Sequence, residues 1–374
     1  MQNILMVDLY GQYLKLKTEI DEAIQEVIRS SVFIKTGKVV DFERQLSQFM
    51  GAEVITCGNG TDALQIAFMA LGLQPGDEVI TTPFTFVSTV EVLVLLGLKP
   101  VFADVDSATF NINTDGIERL ITSKTKAILP VHLFGQCACM ESIMGIAGRY
   151  GLYVIEDSAQ AIGTTYFFKN GTAKNAGTIG NIGTTSFFPS KGLGAFGDGG
   201  AIFCNDKGLA VKMRSVANHG MTEKYQYENV GLNSRLDNIQ AAILEVKLKY
   251  LGEHINARQK AAAFYDENLK NIDRLFLPGK AGYSNHTYHQ YTVRTKLRNE
   301  LKIFLEENGI PSAVYYPKPL HLQKAYRFLG YTEGDFPIGE KLSETVLSLP
   351  MHTELTEKQL IFITNKVKEF FKKY

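Results

Sequence analysis

The sequence predicts an α/β fold: a large domain on a largely parallel sheet, then a smaller α+β domain. Three observations carry this expectation. From about residue 50, short β-rich runs alternate with longer helical patterns, the order expected of a parallel sheet. Near Ser186 the alternation gives way to a glycine-dense passage, and beyond residue 269 strands and helices mix without that order. The chain has 374 residues, which at roughly 150 per domain gives about two or three folding units. A large domain over residues 1–245, opening with a helical segment, and a small one over 246–374 are expected.

Taken in order, residues 53–57 read as a strand, Gly58-Asn59-Gly60 as a turn, and 61–71 as a helix closed by Gly72. Pro75-Gly76-Asp77 resets the chain into a strand at 78–82. Further strands are expected at 100–105, 127–132 and 152–155, with helices at 114–121 and 140–150 between them. The run 192–200 is so rich in glycine that it implies tight turns and close backbone approach, and it leads into a strand at 201–204. From 236 to 269 a long helical pattern that includes Ile239, Ala242, Ile243, Val246 and Leu251 reads as a connector between the domains. The remainder reads as strands at 290–294 and 313–316 with helices at 300–308 and 355–371. There is no internal repeat and no low-complexity linker.

Composition excludes several classes. Thirty-nine basic side chains balance 39 acidic ones, 45% of residues are hydrophobic and 21% charged, so this is an ordinary globular composition. It gives no electrostatic footprint for nucleic acid or an anionic membrane. Lys366, Lys368, Lys372 and Lys373 cluster in the last turns of an expected helix, where cations suit the dipole and water. The N-terminal stretch from Met1 to Asp8 lacks a basic n-region and reads as no signal peptide, and the longest apolar run, 90–98, is too short to span a bilayer. A cytoplasmic location is the expectation. Cys57, Cys137, Cys139 and Cys204 are too few and dispersed for a disulfide framework. Cys137-Ala138-Cys139 near His132 lacks the spacing and the second ligand pair of a metal site, so none is expected.

Four places carry chemistry. The Gly58-Asn59-Gly60-Thr61-Asp62 turn hands a strand to a helix, where free amides and the helix dipole favour a phosphate. It fits neither G-x-G-x-x-G nor a P-loop, and by itself it also reads as a plain turn with Thr61 or Asp62 as helix cap. Asp157 ends an apolar strand at the rim where open α/β sheets bind ligands, and also reads as a cap of the next segment. Lys191, in Thr185-Ser186-Phe187-Phe188-Pro189-Ser190-Lys191-Gly192, lies between an aromatic, Pro-stiffened approach and a glycine run. Desolvation there favours the neutral amine that attacks a carbonyl. Phe86, after another strand, offers a ring face for stacking or a core side chain. A phosphate cradle, a rim carboxylate, the Ser186 hydroxyl and a Schiff-base lysine together meet the needs of pyridoxal phosphate.

In these motifs the chain resembles the DegT/DnrJ/EryC1/StrS family of fold-type I, pyridoxal-phosphate-dependent sugar aminotransferases. The likeness runs through Asn59-Gly60-Thr61-Asp62-Ala63-Leu64, Pro75-Gly76-Asp77-Glu78-Val79, Glu156-Asp157-Ser158-Ala159-Gln160 and Ser186-Phe187-Phe188-Pro189-Ser190-Lys191. It continues through Gly197-Asp198-Gly199-Gly200, Gly231-Leu232-Asn233-Ser234-Arg235-Leu236-Asp237, Tyr315-Tyr316-Pro317-Lys318-Pro319-Leu320-His321 and Ser348-Leu349-Pro350-Met351-His352. The resemblance implies a seven-stranded, mostly parallel sheet flanked by helices. It also implies that Lys191 holds the cofactor as an imine and shuttles the proton, Asp157 pairs with the pyridinium nitrogen, and Gln160 lies beside the ring. Gly60, Thr61 and Ser186 would hold the phosphate and Phe86 would stack on the ring. Asn233 would reach the phosphate of a neighbouring subunit, making the active unit a homodimer, and Arg235, Tyr315 and Tyr316 would surround the nucleotide-sugar. Ser158, Ile162, Gly192 and Tyr315 depart from residues common in the family, and each touches the pocket.

The implied activity is transfer of an amino group from an amino acid, by analogy L-glutamate, to a keto nucleotide-sugar in amino-sugar and surface-polysaccharide biosynthesis. The wording of Pro83-Phe84-Thr85-Phe86 and of residues 231–237 is similar to the branch that aminates 3-keto sugars; a 4-keto acceptor is the alternative. The carrier, uridine or thymidine, stays open. Dehydratases on this scaffold carry histidine in place of the lysine, so Lys191 argues against that chemistry. A regulator that binds the cofactor without turnover is a third reading.

Overall fold

The computed structural model describes residues 4–373; Met1 to Asn3, which open the stretch read for a signal peptide, and Tyr374 lie outside the described residues. Two helices come first, α1 (Leu9–Ser30) and α2 (Lys38–Met50). Asp8 caps α1, its Oδ1 accepting from the Gly11 N–H at 2.7 Å. The alternation follows as β1 (Glu53–Cys57), α3 (Gly60–Leu71), β2 (Glu78–Thr81), α4 (Ser88–Leu95), β3 (Lys99–Phe102), β4 (Thr125–Ile128), α5 (Met140–Tyr150) and β5 (Tyr153–Asp157). A small hairpin, β6 (Thr165–Phe167) and β7 (Ala173–Asn175), precedes β8 (Ile182–Ser186) and β9 (Gly200–Cys204), and α6 (Lys207–Val216) completes the helical cover.

One seven-stranded sheet runs in the order β1-β9-β8-β5-β4-β2-β3. The pairs from β8 through to β3 are parallel, while β9 lies antiparallel between β8 and β1. The strands are buried along nearly their whole length because helices cover both faces. Ile55, Val79, Leu129, Ile155 and Ile202 pack under Phe68 and Met213. Ile80, Ile128 and Val154 pack against Ile143 of α5 on another face. The register matters for function. Gly200, first in β9, lies opposite both Cys57, last in β1, and Ser186, last in β8. Asp157, last in β5, lies opposite Thr184. The three strand ends therefore meet along one rim.

Beyond a two-stranded hairpin, β10 (Met221–Glu223) and β11 (Gln226–Tyr227), the expected long helix is two: α7 (Asn238–Lys249) and α8 (Leu251–Leu269). The break falls at Tyr250, which leaves helical geometry at φ −101°, ψ 1° while its hydroxyl donates to Glu19 of α1. The last part pairs β12 (Tyr291–Arg294) with β13 (Val346–Leu349), antiparallel, among α9 (Arg298–Glu307), α10 (Pro337–Thr345) and α11 (Glu357–Lys373). Tyr265, Tyr291, Leu301, Leu347, Ile363 and Phe370 form a second core, which Ile4 joins. The expected strand at 313–316 is absent: Ala313 makes one bridge to Ser348, and Pro317 and Pro319 offer no N–H to extend a ladder. Residues 114–121, read as a helix, form a 3₁₀ helix, Thr114–Leu120.

Of the C-terminal lysines, Lys366 and Lys373 pair with Glu369 at 2.8 and 3.0 Å, and Lys368 donates to Asn268 at 3.0 Å. All four cysteines are free thiols. His132 donates to Glu156 rather than facing a metal. Among the described residues no helix is long and apolar enough to cross a membrane.

Candidate active site

The strand-end rim opens into a cavity of 530 Å³. Its lining includes Gly60, Thr61, Phe86, Asp157, Gln160, Ser186, Lys191, Tyr315 and Tyr316, nine of the eleven residues that the sequence singled out. Asn233 and Arg235 do not line it. They belong to the segment that packs against the Gly58 turn through Ser234, whose Oγ accepts from the Gly58 N–H at 2.9 Å and donates to Asp62 at 2.6 Å. Asn233 itself is exposed.

The turn after β1 starts α3 with an extended Asn59, whose Oδ1 accepts from the Asp62 N–H at 2.8 Å. The helix cap is thus Asn59, one side chain earlier than Thr61 or Asp62. Standing immediately before the first helical residue, Gly60, the Asn59 side chain reaches an orphan amide that Thr61, already inside the first turn, cannot. The amides of the first turn that the cap does not take are free to face an anion. Glycine is required at position 60 because a Cβ there would stand 2.7 Å from the Ser186 Cβ. The hydroxyl-bearing end of β8 and the helix start thereby come into contact as one cradle. Gly200 is required for the same reason, its hypothetical Cβ falling 2.4 Å from the Asn59 carbonyl oxygen.

Lys191 follows Ser186 in a tight turn. Its N–H donates to the Phe188 carbonyl at 2.8 Å, and the Ala195 N–H returns to Phe187 at 2.8 Å. The side chain keeps some surface toward the cavity while protein atoms crowd the amine. That burial lowers its pKa to about 8, against the opposing pull of Asp157. Asp157 is 5% exposed. Its Oδ2 accepts from the Thr89 hydroxyl at 2.8 Å and its Oδ1 from the Ala159 N–H at 3.2 Å, so it caps the following segment and also faces the cavity. Gln160 is oriented by two bonds: Oε1 accepts from the Phe134 N–H at 2.8 Å, and Nε2 donates to the Tyr316 hydroxyl at 3.1 Å. Phe86 is 53% exposed, which removes the core-packing alternative, and its ring lies 6.4 Å from that of Tyr316.

Two residues of the site escaped the sequence reading. Thr89, buried behind the cavity wall, is the carboxylate's partner. His289 is buried, lines the cavity, and has an Nδ1 without a partner among the described residues. Burial holds this imidazole well below its usual pKa, and the positive charges of Lys191 and Arg258 push in the same direction, so it is neutral. A histidine in the run Asn285-His286-Thr287-Tyr288-His289-Gln290 is the signal that was available.

The donor set fits pyridoxal phosphate. A helix start and hydroxyls suit the phosphate, a carboxylate fixed at both oxygens suits a protonated ring nitrogen, and an amine of lowered pKa suits the carbonyl. One consequence is measurable without the cofactor. Labelling of Lys191 by a small acylating reagent in the cofactor-free protein should rise through pH about 8 and then level off. Surface lysines should keep gaining reactivity to pH ~10.4. Peptide mass spectrometry across a pH series reads this, and a Lys191 profile that follows the surface lysines would contradict the burial argument. The same shift acts on stability. The folded amine binds its proton less tightly than the unfolded one, so its burial penalty is complete below pH about 8 and is relieved as the pH rises toward 10.5.

Comparison with known proteins agrees with this geometry. The profile of the DegT/DnrJ/EryC1/StrS aminotransferase family matches residues 14–368. A pleiotropic regulatory protein of Geobacillus stearothermophilus is 48% identical over 375 residues, covering 100% of each chain. The UDP-2-acetamido-2-deoxy-3-oxo-D-glucuronate aminotransferase of Pseudomonas aeruginosa is 46% identical over 94% of this chain and 96% of that one. The crystal structure of S. venezuelae DesV in complex with a ketimine intermediate superposes with a TM-score of 0.96 at 34% identity, covering 99% of each chain.

Proposed function

The chain belongs to the DegT/DnrJ/EryC1/StrS aminotransferase family, whose members depend on pyridoxal phosphate, and we propose that it moves an amino group from L-glutamate to C3 of a 3-keto nucleotide-linked hexose. The observation that carries the reading is the convergence of Lys191, Asp157 and the Gly60–Ser186 cradle on one cavity. The P. aeruginosa relative, named for a 3-oxo UDP-sugar, supports the 3-keto acceptor. A 4-keto acceptor is the alternative. The carbohydrate made would serve surface polysaccharide synthesis in the cytoplasm.

Pyridoxal phosphate supplies, when bound, reversible capture of an amino group and an electron sink for the carbon that bears it. The chain's own residues do the rest. The amides at the start of α3, with the Thr61 and Ser186 hydroxyls, bind the phosphate. The Asp157 carboxylate would hold positive charge at the ring nitrogen, and Phe86 would cover a ring face. Gln160, held by the Phe134 N–H and donating through Nε2 to Tyr316, would lie beside the ring. Lys191 Nζ takes the proton from the reacting carbon and returns it on the other side of the exchange, which its lowered pKa permits near neutral pH. Tyr315 and Tyr316 form the wall on the nucleotide-sugar side.

A second copy of the chain would complete the site. Phe86 and Phe188 stand half-exposed at its mouth, and Tyr225 and Val230 are exposed at 75% and 85% beside the Asn233 segment. In a homodimer Asn233 would reach the partner's phosphate and Arg235 its substrate.

Incubating the purified protein with glutamate and a panel of 3-keto and 4-keto sugars, each on uridine and thymidine diphosphate, tests the acceptor. Amination of 3-keto sugars with a kcat/KM at least about tenfold above the 4-keto set is the expected result. The reverse ranking would overturn the 3-keto assignment. The name of the G. stearothermophilus relative favours a second reading, a regulator that holds the cofactor without turnover. Uptake of pyridoxal phosphate with no conversion of glutamate to its keto acid and no sugar aminated would support that reading instead.

A further inference from the structure

Asp157 owes its fixed orientation to residues far from it in sequence. Thr89, in the first turn of α4, is fully buried, and Thr85, in the segment leading to that helix, is buried at 2% exposure. The Thr89 hydroxyl donates to Asp157 Oδ2 at 2.8 Å, and the Thr85 and Thr89 hydroxyls lie 3.2 Å apart. A carboxylate only accepts, so the Thr89 proton must point at Asp157. Thr85 must then donate to Thr89. The result is a one-way chain, Thr85 to Thr89 to Asp157, in which each bond polarises the next. Asp157 Oδ1 is held separately by the Ala159 N–H, so the carboxylate is gripped at both oxygens. The Thr85 segment also carries Phe86, and the Leu320 N–H ties it to the C-terminal part through the Pro83 carbonyl at 2.8 Å.

We propose that Thr89, backed by Thr85, is the positioning residue for Asp157, and that this two-hydroxyl chain sets how tightly the cofactor ring is held. The proposal rests on the pyridoxal phosphate reading of the cavity. Thr89 touches neither cofactor nor substrate in it; it acts through the carboxylate.

The test is titration of cofactor-free protein with pyridoxal phosphate, followed by absorbance, for the wild type, Thr89→Val, Thr89→Ser, Asp157→Asn and the Thr89→Val/Asp157→Asn double variant. Valine keeps the shape and deletes one hydroxyl. Thr89→Val should raise the cofactor Kd about tenfold, as expected for a lost hydrogen bond to a charged group. Thr89→Ser should restore it to within about threefold of wild type. In the Asp157→Asn background the same valine should add nothing, which a merely structural role for Thr89 would not produce. Wild-type Kd in Thr89→Val, or an undiminished loss in the Asp157→Asn background, would overturn the proposal. Should Thr89→Val fail to fold, Thr85→Val carries the test one bond further out, with about a threefold loss expected and wild-type Kd overturning it. A wild-type protein that takes up no pyridoxal phosphate would instead sink the reading of the cavity, and the proposal with it.

Discussion

Replacing Lys191 by alanine should lower amino transfer by roughly 10⁴-fold or more while leaving the fold intact. Among the described residues that line the cavity, the lysine alone combines a nucleophilic amine with a pKa near neutrality, about 8, so nothing adjacent can take over the proton transfer proposed for it. His289, the nearest candidate by chemistry, is held neutral and weakly basic by burial and by two cations. The variant should also lose the visible absorbance of cofactor-loaded protein. Stability should not suffer. The Lys191 amine has no hydrogen-bond partner among the described residues, and the turn is made by backbone bonds to Phe188 and Phe187 that alanine keeps. Removing an amine that resists protonation when folded should leave the cofactor-free protein equally stable, or more stable, at pH 7. Steady-state assay, absorbance and thermal melting of the variant check all three parts. Full activity would refute the assignment of the lysine; lost activity with a collapsed fold would refute the claim that its role is chemical.

Glu156→Leu should be the most damaging single change to stability, at about 3–5 kcal/mol. Glu156 is fully buried in β5, one residue before Asp157, and four donors converge on it. Oε1 accepts from the Ile179 and Gly180 N–H groups at 2.7 and 2.6 Å, and Oε2 from the Gly177 N–H at 2.9 Å and His132 Nε2 at 2.8 Å. His132 Nδ1 accepts from the Ala138 N–H at 3.1 Å, which fixes the imidazole proton on Nε2. Leucine would fill the volume and leave three backbone amides and an imidazole N–H buried without acceptors. Glu156→Gln should cost less, about 2 kcal/mol, because one oxygen still accepts while its NH₂ is forced against a donor. Urea unfolding of the two variants measures this. A Glu156→Leu protein within about 1 kcal/mol of wild type would show that the four donors find other partners.

What the sequence disclosed and what it concealed follow from the range of the interactions involved. Strand and helix are set by residues a few positions apart, so β1 to β5 and β9 were legible, while α4, the β6–β7 hairpin and the glycine- and threonine-rich β8 were not. The Gly58 turn, Asp157 and Lys191 stood out too, because each sits in a short motif, and the structure brings all three to one cavity. Two of the errors of element were local exceptions imposed from a distance. Tyr250 leaves the helix while its side chain reaches α1, and residues 313–316 run toward the cavity ahead of two prolines. The partners that give the site its geometry were not legible at all. Thr89 and Asp157 are 68 positions apart, and Gln160 and Tyr316 are 156 apart. His132 was read against Cys137 and Cys139, while its carboxylate partner lies 24 residues away in the neighbouring strand. Periodicity carries no trace of such pairs; only the sheet order brings them together.

Lys247 offers an internal control for the central claim. It is a second buried lysine whose pKa burial lowers to about 8, but its amine donates to the Gly194 carbonyl and it does not line the cavity. Reducing cofactor-loaded protein with borohydride and mapping the peptides asks which amine carries the vitamer. The account predicts one modified residue, Lys191; modification of Lys247, or of no lysine, would contradict it.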